Sequence, residues 1–429
     1  MPSKAWVLGP DRHAALVIIA RVSLAYDPRR PEVLADPYPA LHRLQDEDPV
    51  HWSEILGGWV LTRYDDVKAA LGDPRLSSDR ITPFVNHYAK GGGGELGELG
   101  RLVGLWAVFT DPPTHTRLRG LMNRAFTSRA VEQLRPRIEE IVAELLGAVQ
   151  PSGRMDVIRD FAYPLPITVI AEMIGVPRED REAFKIWSDE LAAFIGSASA
   201  TPGKYERAAR AISAMADYFR RMIPARRANP REDIMSALVA AWERDDPRGE
   251  DELVASCILL LFAGHETTTN LIGNGVLALL RHPGQARALR DRADLTASAV
   301  EEILRYDGPT PAMVRVAVED IGLEGRTIRR GDRVFTMINA ANRDPRQFAE
   351  PDRLDLARAN NRHIAFGYGI HFCLGAPLAR LEAQIALPAL LRALGEPALD
   401  IGEPAWLDSL VFRGVKSLPV TFPTAPAIR

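Results

Sequence analysis

The chain has 429 residues, 46% of them hydrophobic, which is enough apolar material to fill one large core or two smaller ones. Its 53 Lys and Arg residues against 56 Asp and Glu residues give a net charge of −3, which argues against nucleic acid or an anionic membrane as the main partner. The two cysteines, Cys257 and Cys373, lie far apart in the sequence, so we expect no disulfide framework and a reducing compartment.

Near the N-terminus, the apolar run Ala14–Ala20 lies between Arg12 and Arg21. It is far shorter than the roughly 20 residues that a membrane span requires, and no clear small-residue cleavage site follows it. We therefore expect neither a membrane anchor nor a signal peptide. With no repeat and no long polar linker, we expect one domain over residues 1–429, with residues 1–35 as a loosely ordered N-terminal extension.

Strand signals occur at two places. The residues on either side of Gly57-Gly58, from His51 to Leu61, have the pattern of a β-hairpin, and Arg326–Val334 contains a second turn-and-strand element. Elsewhere, apolar residues recur at helical spacing, and Gly or Pro stands at several ends. The predicted helices are Tyr64–Leu71, Thr114–Phe126, Arg135–Val149, Pro166–Ile174, Arg181–Ile195, Tyr205–Asn229, Asp251–Arg281, Thr296–Tyr306 and Pro377–Leu394.

Two segments are rich in glycine and small polar residues. They are Ser77–Ala107, which contains four consecutive glycines at positions 91–94, and Ile195–Lys204. Glycine runs do not hold one conformation without outside contacts, so both segments are predicted to be loose. From composition alone, they are surface loops without a further role.

The segment Asp111–Arg119 carries His115 and Arg119 four residues apart, on one face of the helix predicted there. That spacing suits the binding of carboxylates. By itself, the pair is more typical of a solvated polar helix face.

The central predicted helix, Asp251–Arg281, would be roughly 45 Å long at 1.5 Å per residue, enough to cross the whole molecule. Its middle, Ala263–Thr268, reads Ala-Gly-His-Glu-Thr-Thr. A glycine, a carboxylate and two β-branched threonines are unfavourable in so apolar a helix, so the pattern indicates a functional site. The alternative is a packing glycine followed by threonines that bond to the preceding turn.

Further along, Glu302 and Arg305 are three residues apart on one helix face. In isolation, such a pair is usually a solvated ion pair of little energetic consequence.

Near the C-terminus, Phe366–Ala376 reads Phe-Gly-Tyr-Gly-Ile-His-Phe-Cys-Leu-Gly-Ala, just ahead of a helix. The glycines at 367, 369 and 375 allow backbone to approach a flat ligand, and a helix N-terminus favours a thiolate at Cys373. One thiolate excludes a zinc knuckle or an iron–sulfur cluster, whereas a porphyrin iron needs only one axial protein ligand. The alternative is a buried small hydrophobic residue in an ordinary turn.

The pattern Phe-Gly-x-Gly-x-His-x-Cys-x-Gly fixes six positions, and at these residues the chain resembles the cytochrome P-450 family, the haem-thiolate monooxygenases, in particular its soluble bacterial members. The central segment also matches the family motif Ala/Gly-Gly-x-Asp/Glu-Thr. The resemblance extends from about Asp36 to Val420. It implies a mainly α fold with small β-sheets, a long central helix over a buried haem b (iron protoporphyrin IX), and a cytoplasmic, monomeric bacterial enzyme.

The resemblance assigns roles to particular residues. Cys373 is the axial ligand of the haem iron, Thr267 is the hydroxyl that holds protons at the bound oxygen, and Glu266 relays protons from outside. Gly264 leaves space for oxygen. The remaining assignments are His115, Arg119, Arg315 and His371 for the haem propionates; Phe366, Gly367, Gly369, Gly375 and Ala263 for further haem contacts; Glu302, Arg305 and Arg353 for a structural cluster; and Phe84, Trp106, Ala312, Met313, Val314 and Phe412 for the substrate pocket.

The resemblance further implies insertion of one oxygen atom from O₂ into a mainly apolar organic substrate, by hydroxylation or epoxidation. Electrons come from NAD(P)H through a ferredoxin reductase and a ferredoxin that docks near Arg117, Arg124 and Arg129, although three solvated arginines are as typical of an ordinary surface. The two loose segments cover the substrate and open to admit it.

Two other functions use the same haem. A peroxide-driven peroxygenase lacks the acid–alcohol pair, which is intact here. A haem sensor or electron-transfer protein needs neither that pair nor flexible lids.

Overall fold

The computed structural model describes residues 26–82, 95–196, 202–245 and 249–424. Over these ranges the chain is mainly helical, and none of the helices is long and apolar enough to cross a membrane. The helices are α1 (Pro31–Ala35), α2 (Tyr38–Glu47), α3 (Tyr64–Gly72), α4 (Glu95–Gly104), α5 (Thr114–Ala125), α6 (Ser128–Glu132), α7 (Arg135–Val149), α8 (Pro164–Ile174), α9 (Arg181–Gly196), α10 (Lys204–Ala228), α11 (Ile234–Asp245), α12 (Glu250–Arg281), α13 (Pro283–Asp291), α14 (Thr296–Asp307), α15 (Ile338–Ala341) and α16 (Ala376–Leu394).

The strands form three small sheets. One has five strands in the order β1-β2-β8-β5-β3, one has the order β4-β10-β9, and one pairs β6 with β7. The strands are β1 (Val50–Ser53), β2 (Gly58–Leu61), β3 (Leu76–Ser77), β4 (Arg154–Asp156), β5 (Met313–Ala317), β6 (Ile321–Leu323), β7 (Arg326–Ile328), β8 (Arg333–Thr336), β9 (Ala398–Leu399) and β10 (Pro419–Thr421).

The predicted hairpin is confirmed. β1 and β2 run antiparallel with Trp52 opposite Trp59, and the two rings meet edge to face at 5.4 Å between centroids. The second predicted element divides between two sheets, because β7 pairs with β6 while β8 lies parallel to β2. The turn between β7 and β8 needs a glycine, since Gly331 has a φ of +90°.

The nine predicted helices are all present, each with ends within two residues of the prediction. One prediction is wrong in part: the segment Ser77–Ala107 is not loose throughout, because α4 lies within it. Leu99, Leu102 and Val103 on this helix are completely buried. Apolar residues three and four positions apart pack one face of α4 on the core, and this burial outweighs the local glycines. The glycines at 91–94 lie outside the described residues.

The central helix α12 is the structural centre of the molecule. Most of its side chains are buried, and it packs against α8, α14 and α16. The largest hydrophobic cluster contains residues from Ile81 to Phe422, so distant parts of the chain share one core. Each fully buried aliphatic side chain, such as Leu261 or Ile272, stabilises the fold by about 1.5–3 kcal/mol. That one domain spans residues 1–429 stays a prediction.

Candidate active site

The middle of α12 differs from its two ends in solvent exposure. Ala263 is exposed, and Gly264, Glu266 and Thr267 are half-buried, although the helix is buried from Leu253 to Phe262 and again from Thr268 to Leu279. At the Ala-Gly-His-Glu-Thr-Thr segment the helix therefore borders accessible space, which is called the hollow from here on.

Thr267 and Glu266 have different environments along this border. The Thr267 hydroxyl donates a hydrogen bond to the Ala263 carbonyl oxygen, 3.2 Å away. The Glu266 carboxyl accepts one from the Asn270 side chain at 3.3 Å. Burial raises the pKa of Glu266 to about 7, while the bond from Asn270 lowers it and the charge of Asp189 raises it. A carboxyl with this pKa can both accept and release protons near neutral pH.

Gly264 has a packing function. A Cβ atom at this position would lie 2.8 Å from Cγ1 of Ile170 on α8, which is too close for any side chain. The side of Gly264 on which other residues carry a side chain therefore faces α8. The prediction that Gly264 leaves space for oxygen is wrong. Close contact between α8 and α12 requires the glycine.

The loop before α16 has the backbone that its glycines indicated. Gly367 and Gly369 both have φ values of +75°, in the left-handed region. A Cβ atom on Gly369 would also lie 3.4 Å from the carbonyl oxygen of Leu71. The loop is closed by a hydrogen bond of 2.9 Å from the Cys373 N–H to the Phe366 carbonyl oxygen.

Cys373 is accessible to solvent, although protein surrounds most of its side chain. This burial raises the pKa of the thiol above its ordinary value, while backbone N–H groups of Gly375 and Ala376 and the charge of Arg119 lower it. The N–H groups at the start of α16 thus favour the thiolate but do not outweigh burial. A bound metal cation would deprotonate the thiol outright. Cys257, by contrast, is buried in α12.

The four predicted propionate ligands come together from three parts of the chain. The rings of His115 and His371 lie 4.2 Å apart between centroids, and Arg119 donates a hydrogen bond of 2.6 Å to the Phe372 carbonyl oxygen. Burial lowers the pKa of Arg315 to about 10. Burial, followed by the effect of His115 and Arg315, lowers the pKa of His371 to about 3. The charges of His115, Arg315 and Arg119 thus disfavour protonation of His371.

Three further residues belong to this group, and the sequence alone indicated no role for any of them. The guanidinium of Arg80 lies over the Phe109 ring at 4.7 Å, and burial and Arg315 lower its pKa to about 10. The Ser78 hydroxyl is 3.0 Å from Nε2 of His371, and the Ser78 N–H donates to Asp111 at 3.0 Å. Asp111 stands in the segment that identified His115, but the isolated sequence carries no signal for Arg80.

The charge of this group fits a haem. In the part of the chain that the structure describes, neither Arg80 nor Arg315 forms an ion pair, although both are largely desolvated. Asp111 is the one carboxylate in this group, and its charge does not offset the effect of burial on the pKa of Arg315. The arrangement therefore favours a ligand that brings further carboxylates. Two haem propionates satisfy this requirement.

A buried ion cluster joins α14 to the segment before the Cys373 loop. The prediction is wrong for one of its three members. Glu302 and Arg305 are completely buried and form two hydrogen bonds of 2.8 Å each. The third member is Arg358, whose Nε lies 3.0 and 3.1 Å from the two Glu302 oxygens. The Arg353 side chain points to solvent and bonds to Glu350, so only its carbonyl oxygen contacts Arg305.

The predicted substrate residues have diverse locations. Trp106 is 1% exposed and packs between Phe109 and Phe262, so it belongs to the core. Ala312 and Phe412 line a cavity of about 50 Å³. Met313 and Val314 are half-buried on β5, and Phe84 lies outside the described residues.

The known proteins that this chain resembles share one family. Residues 59–394 match the family model described as Cytochrome P450. The chain is 44% identical over 398 residues to cytochrome P450 monooxygenase PikC of Streptomyces venezuelae, covering 90% of this chain and 91% of PikC. It is 42% identical over 393 residues to vitamin D(3) 25-hydroxylase of Pseudonocardia autotrophica, covering 90% and 94%.

Solved structures with a similar fold are also cytochrome P450 proteins. A crystal structure of P450BioI in complex with hexadec-9Z-enoic acid ligated acyl carrier protein superimposes with a TM-score of 0.85 at 39% identity, covering 92% of this chain and 99% of that one.

Proposed function

Because this chain belongs to the cytochrome P450 family and is a haem b monooxygenase, we propose that it inserts one oxygen atom into a mainly apolar organic substrate, by hydroxylation or epoxidation. When bound, haem b supplies an iron centre that binds and activates dioxygen.

Cys373 would hold the haem through its sulfur, on the loop closed by the Cys373 N–H bond to Phe366. His115, Arg119, Arg315 and His371 would bind the propionates. We add Arg80 to this set because it is largely desolvated near Arg315 and forms no ion pair with any described residue. Phe366, Gly367, Gly369, Gly375 and Ala263 would contact the haem faces.

Thr267 and Glu266 would manage protons. The Thr267 hydroxyl is half-exposed on the hollow and is oriented by its bond to the Ala263 carbonyl oxygen. Glu266 would supply protons towards that hydroxyl and be reprotonated from outside. The observation that carries this proposal is a carboxyl with a pKa of about 7, next in sequence to a hydroxyl on an opening in an otherwise buried helix.

A ferredoxin and an NAD(P)H-dependent reductase would supply the electrons. Tyr368 and Ile370 on the Cys373 loop are exposed apolar residues. Arg124 near the end of α5 and Arg129 on α6 are exposed cations. Apolar surface with cations suits a small acidic partner. Arg117, the third predicted docking residue, instead donates two hydrogen bonds of 2.6 Å to Glu252. A monomer in the cytoplasm, where NAD(P)H is available, completes this proposal.

We propose that the substrate is apolar and lies against Phe412 on the late turn, which packs on the end of α9. Phe412 contacts Phe262 edge to face at 6.2 Å, and the Leu410 N–H bonds to the Gly196 carbonyl oxygen at 2.9 Å. The names of two relatives, a vitamin D(3) hydroxylase and an enzyme bound to a fatty acyl carrier protein, agree with an apolar substrate.

The test is reconstitution of the holoprotein with ferredoxin, reductase and NAD(P)H. Apolar compounds that shift the haem absorption band would be incubated under isotopically labelled dioxygen. We expect one labelled oxygen atom in the product and the other in water. Turnover with peroxide alone would indicate a peroxygenase, and haem binding without turnover in either system would indicate a sensor or electron carrier.

A further inference from the structure

The first part of the described chain, residues 26–37, lies against the late turn that carries Phe412. Residues from both segments line one cavity of about 50 Å³. The lining includes the candidate substrate residues Ala312 and Phe412, and it also includes Tyr26 and Leu34 of the N-terminal segment. The N-terminal segment is therefore a wall of this cavity, a role that nothing in the sequence indicated.

The chemistry of the cavity suits an apolar group. Most of the lining consists of proline, leucine, phenylalanine, methionine and other apolar side chains. Arg413 is the one charged residue among the described residues of the lining, and each of its three guanidinium nitrogens already donates a hydrogen bond within the protein. It therefore offers little to an anionic ligand. The volume accommodates about four groups of the size of a water molecule, such as the end of a hydrocarbon chain.

The Arg413 side chain fastens the N-terminal segment to the rest of the protein. It is 7% exposed and donates to the carbonyl oxygens of Leu34 at 2.7 Å and Ala35 at 3.1 Å. Its Nε donates to the Asp307 carboxylate at 2.5 Å, at the end of α14. The guanidinium also lies 3.8 Å from the centroid of the Trp406 ring. Hydrogen bonds from a buried cation are stronger than those between neutral groups, so these contacts hold the segment in place.

The backbone of Arg413 is bonded to the centre of the molecule. Its N–H donates to the Pro309 carbonyl oxygen at 2.8 Å, and Nδ2 of Asn274 on α12 donates to its carbonyl oxygen at 2.9 Å. Phe412 directly precedes Arg413 and meets Phe262 of α12 edge to face at 6.2 Å. Arg413 therefore links the N-terminal wall to the turn whose Phe412 we assign to the substrate.

We propose that residues 26–37 are part of the substrate site, that the cavity takes the far end of an elongated apolar substrate, and that Arg413 is the positioning residue that holds this wall. The wall would set the longest chain that the site accepts, because a chain that reaches the cavity fills it after about four atoms. The inference rests on the proposed assignment of Ala312 and Phe412 to the substrate. It adds the segment that bounds the site beyond them.

The first test measures the length of accepted ligands without turnover. In the holoprotein, a series of 1-alkylimidazoles, which bind haem iron through a ring nitrogen, would be titrated by the shift of the haem absorption band. Each additional methylene that becomes buried should tighten binding about fourfold, until the chain fills the cavity. Leu34→Ala shortens a lining side chain, so the gain should continue for about three further methylenes. Leu34→Trp occupies the cavity, so the gain should stop at a shorter chain.

Leu41→Ala is the matched control. Leu41 lies on α2 in the same part of the chain and is 2% exposed, but it does not line the cavity. Its truncation should lower the stability of the protein and leave the limiting chain length where the parent has it.

The second test concerns the fastening by Arg413. Arg413→Lys keeps a cation beside Asp307 but cannot reproduce the three separate bonds, and the Tyr38 hydroxyl, 2.7 Å from the same carboxylate, remains as a partner. Amide hydrogen exchange over α1 should become about tenfold faster. Arg281→Lys, at a surface arginine paired with Glu403, should leave this exchange unchanged.

The possible failures can be told apart. The parent's limiting chain length in both Leu34 variants would overturn the inference, and so would an equal shift in Leu41→Ala. Unchanged exchange over α1 in Arg413→Lys would exclude Arg413 as the fastening residue. All three results leave the proposed function intact if the reconstituted parent inserts labelled oxygen. Binding that does not depend on chain length in the parent would instead contradict the apolar substrate, and with it the inference.

Discussion

Glu266 makes the stability of the protein depend on pH in a direction opposite to that of most surface carboxyls. Its pKa rises from 4.5 to about 7 on folding because burial disfavours the charged form. The folded state is therefore most favoured below pH 4.5, and this contribution is lost as the pH rises through about 7. Glu266→Gln keeps an oxygen that can accept the Asn270 bond but never becomes charged.

The size of the effect follows from the pKa. A rise from 4.5 to about 7 corresponds to at most about 3 kcal/mol of unfolding free energy at high pH. Relative to the parent, Glu266→Gln should gain about 3 kcal/mol at pH 8.5 and less than about 1 kcal/mol at pH 5. Urea unfolding of the holoproteins, followed by far-ultraviolet circular dichroism at the two pH values, measures both differences.

Glu132→Gln is a control at a carboxyl whose pKa is lowered, not raised, on folding. A hydrogen bond from Arg135 lowers the pKa of Glu132, so removal of this carboxylate should not stabilise the protein at pH 8.5. Equal stability of Glu266→Gln and the parent at pH 8.5, or the same gain at both pH values, would refute the reasoning. Such a result would mean that Glu266 is solvated in the folded state.

Four further predictions test the remaining assignments. Cys373→Ala should abolish the red-shifted ferrous–carbonyl band of thiolate ligation, whereas Cys257→Ala should retain it; a retained band in the first variant would exclude Cys373 as the ligand. Arg119→Ala should lower haem content and folded yield because a propionate loses its partner, and an unchanged haem content and thermal stability would count against this role. Thr267→Ala should consume NAD(P)H while releasing peroxide in place of product; coupling equal to that of the parent would make Thr267 structural. Arg358→Ala should lower the unfolding free energy by about 3 kcal/mol because buried Glu302 loses one of its two cations, whereas Arg353→Ala should change it by less than about 1 kcal/mol; equal effects in urea unfolding would contradict the exchange of roles.

Some features were predictable because they depend on residues close together in the sequence. Gly57-Gly58 between apolar segments indicated the hairpin, and the spacing of apolar residues located α7 and α12 to within a residue at each end. The backbone of the Cys373 loop was also predictable from the local sequence, because its glycines adopt the left-handed conformation that only glycine takes easily. The family resemblance depended on the same short motifs.

Contacts between distant segments were not predictable in this way. Arg353 stands at the motif position, yet Arg358, only five residues later, bonds to Glu302, because the fold directs one side chain outward and the other inward. Gly264 looked like a space for a ligand, but its empty side faces Ile170 on a helix about ninety residues earlier in the chain. Which side chain faces which neighbour depends on helix packing.

The sequence by itself determined the family, the mainly helical class and the residues around Cys373 and Glu266, because local backbone preferences and motif spacing carry that information. Only the tertiary structure decided which cations gather beside His371, that Arg80 lies near Arg315, and that Tyr163 links α9 to the central helix. The physical reason is desolvation. Burial and the charge of neighbouring groups move the pKa of Glu266 to about 7, and both arise only when separate segments pack together.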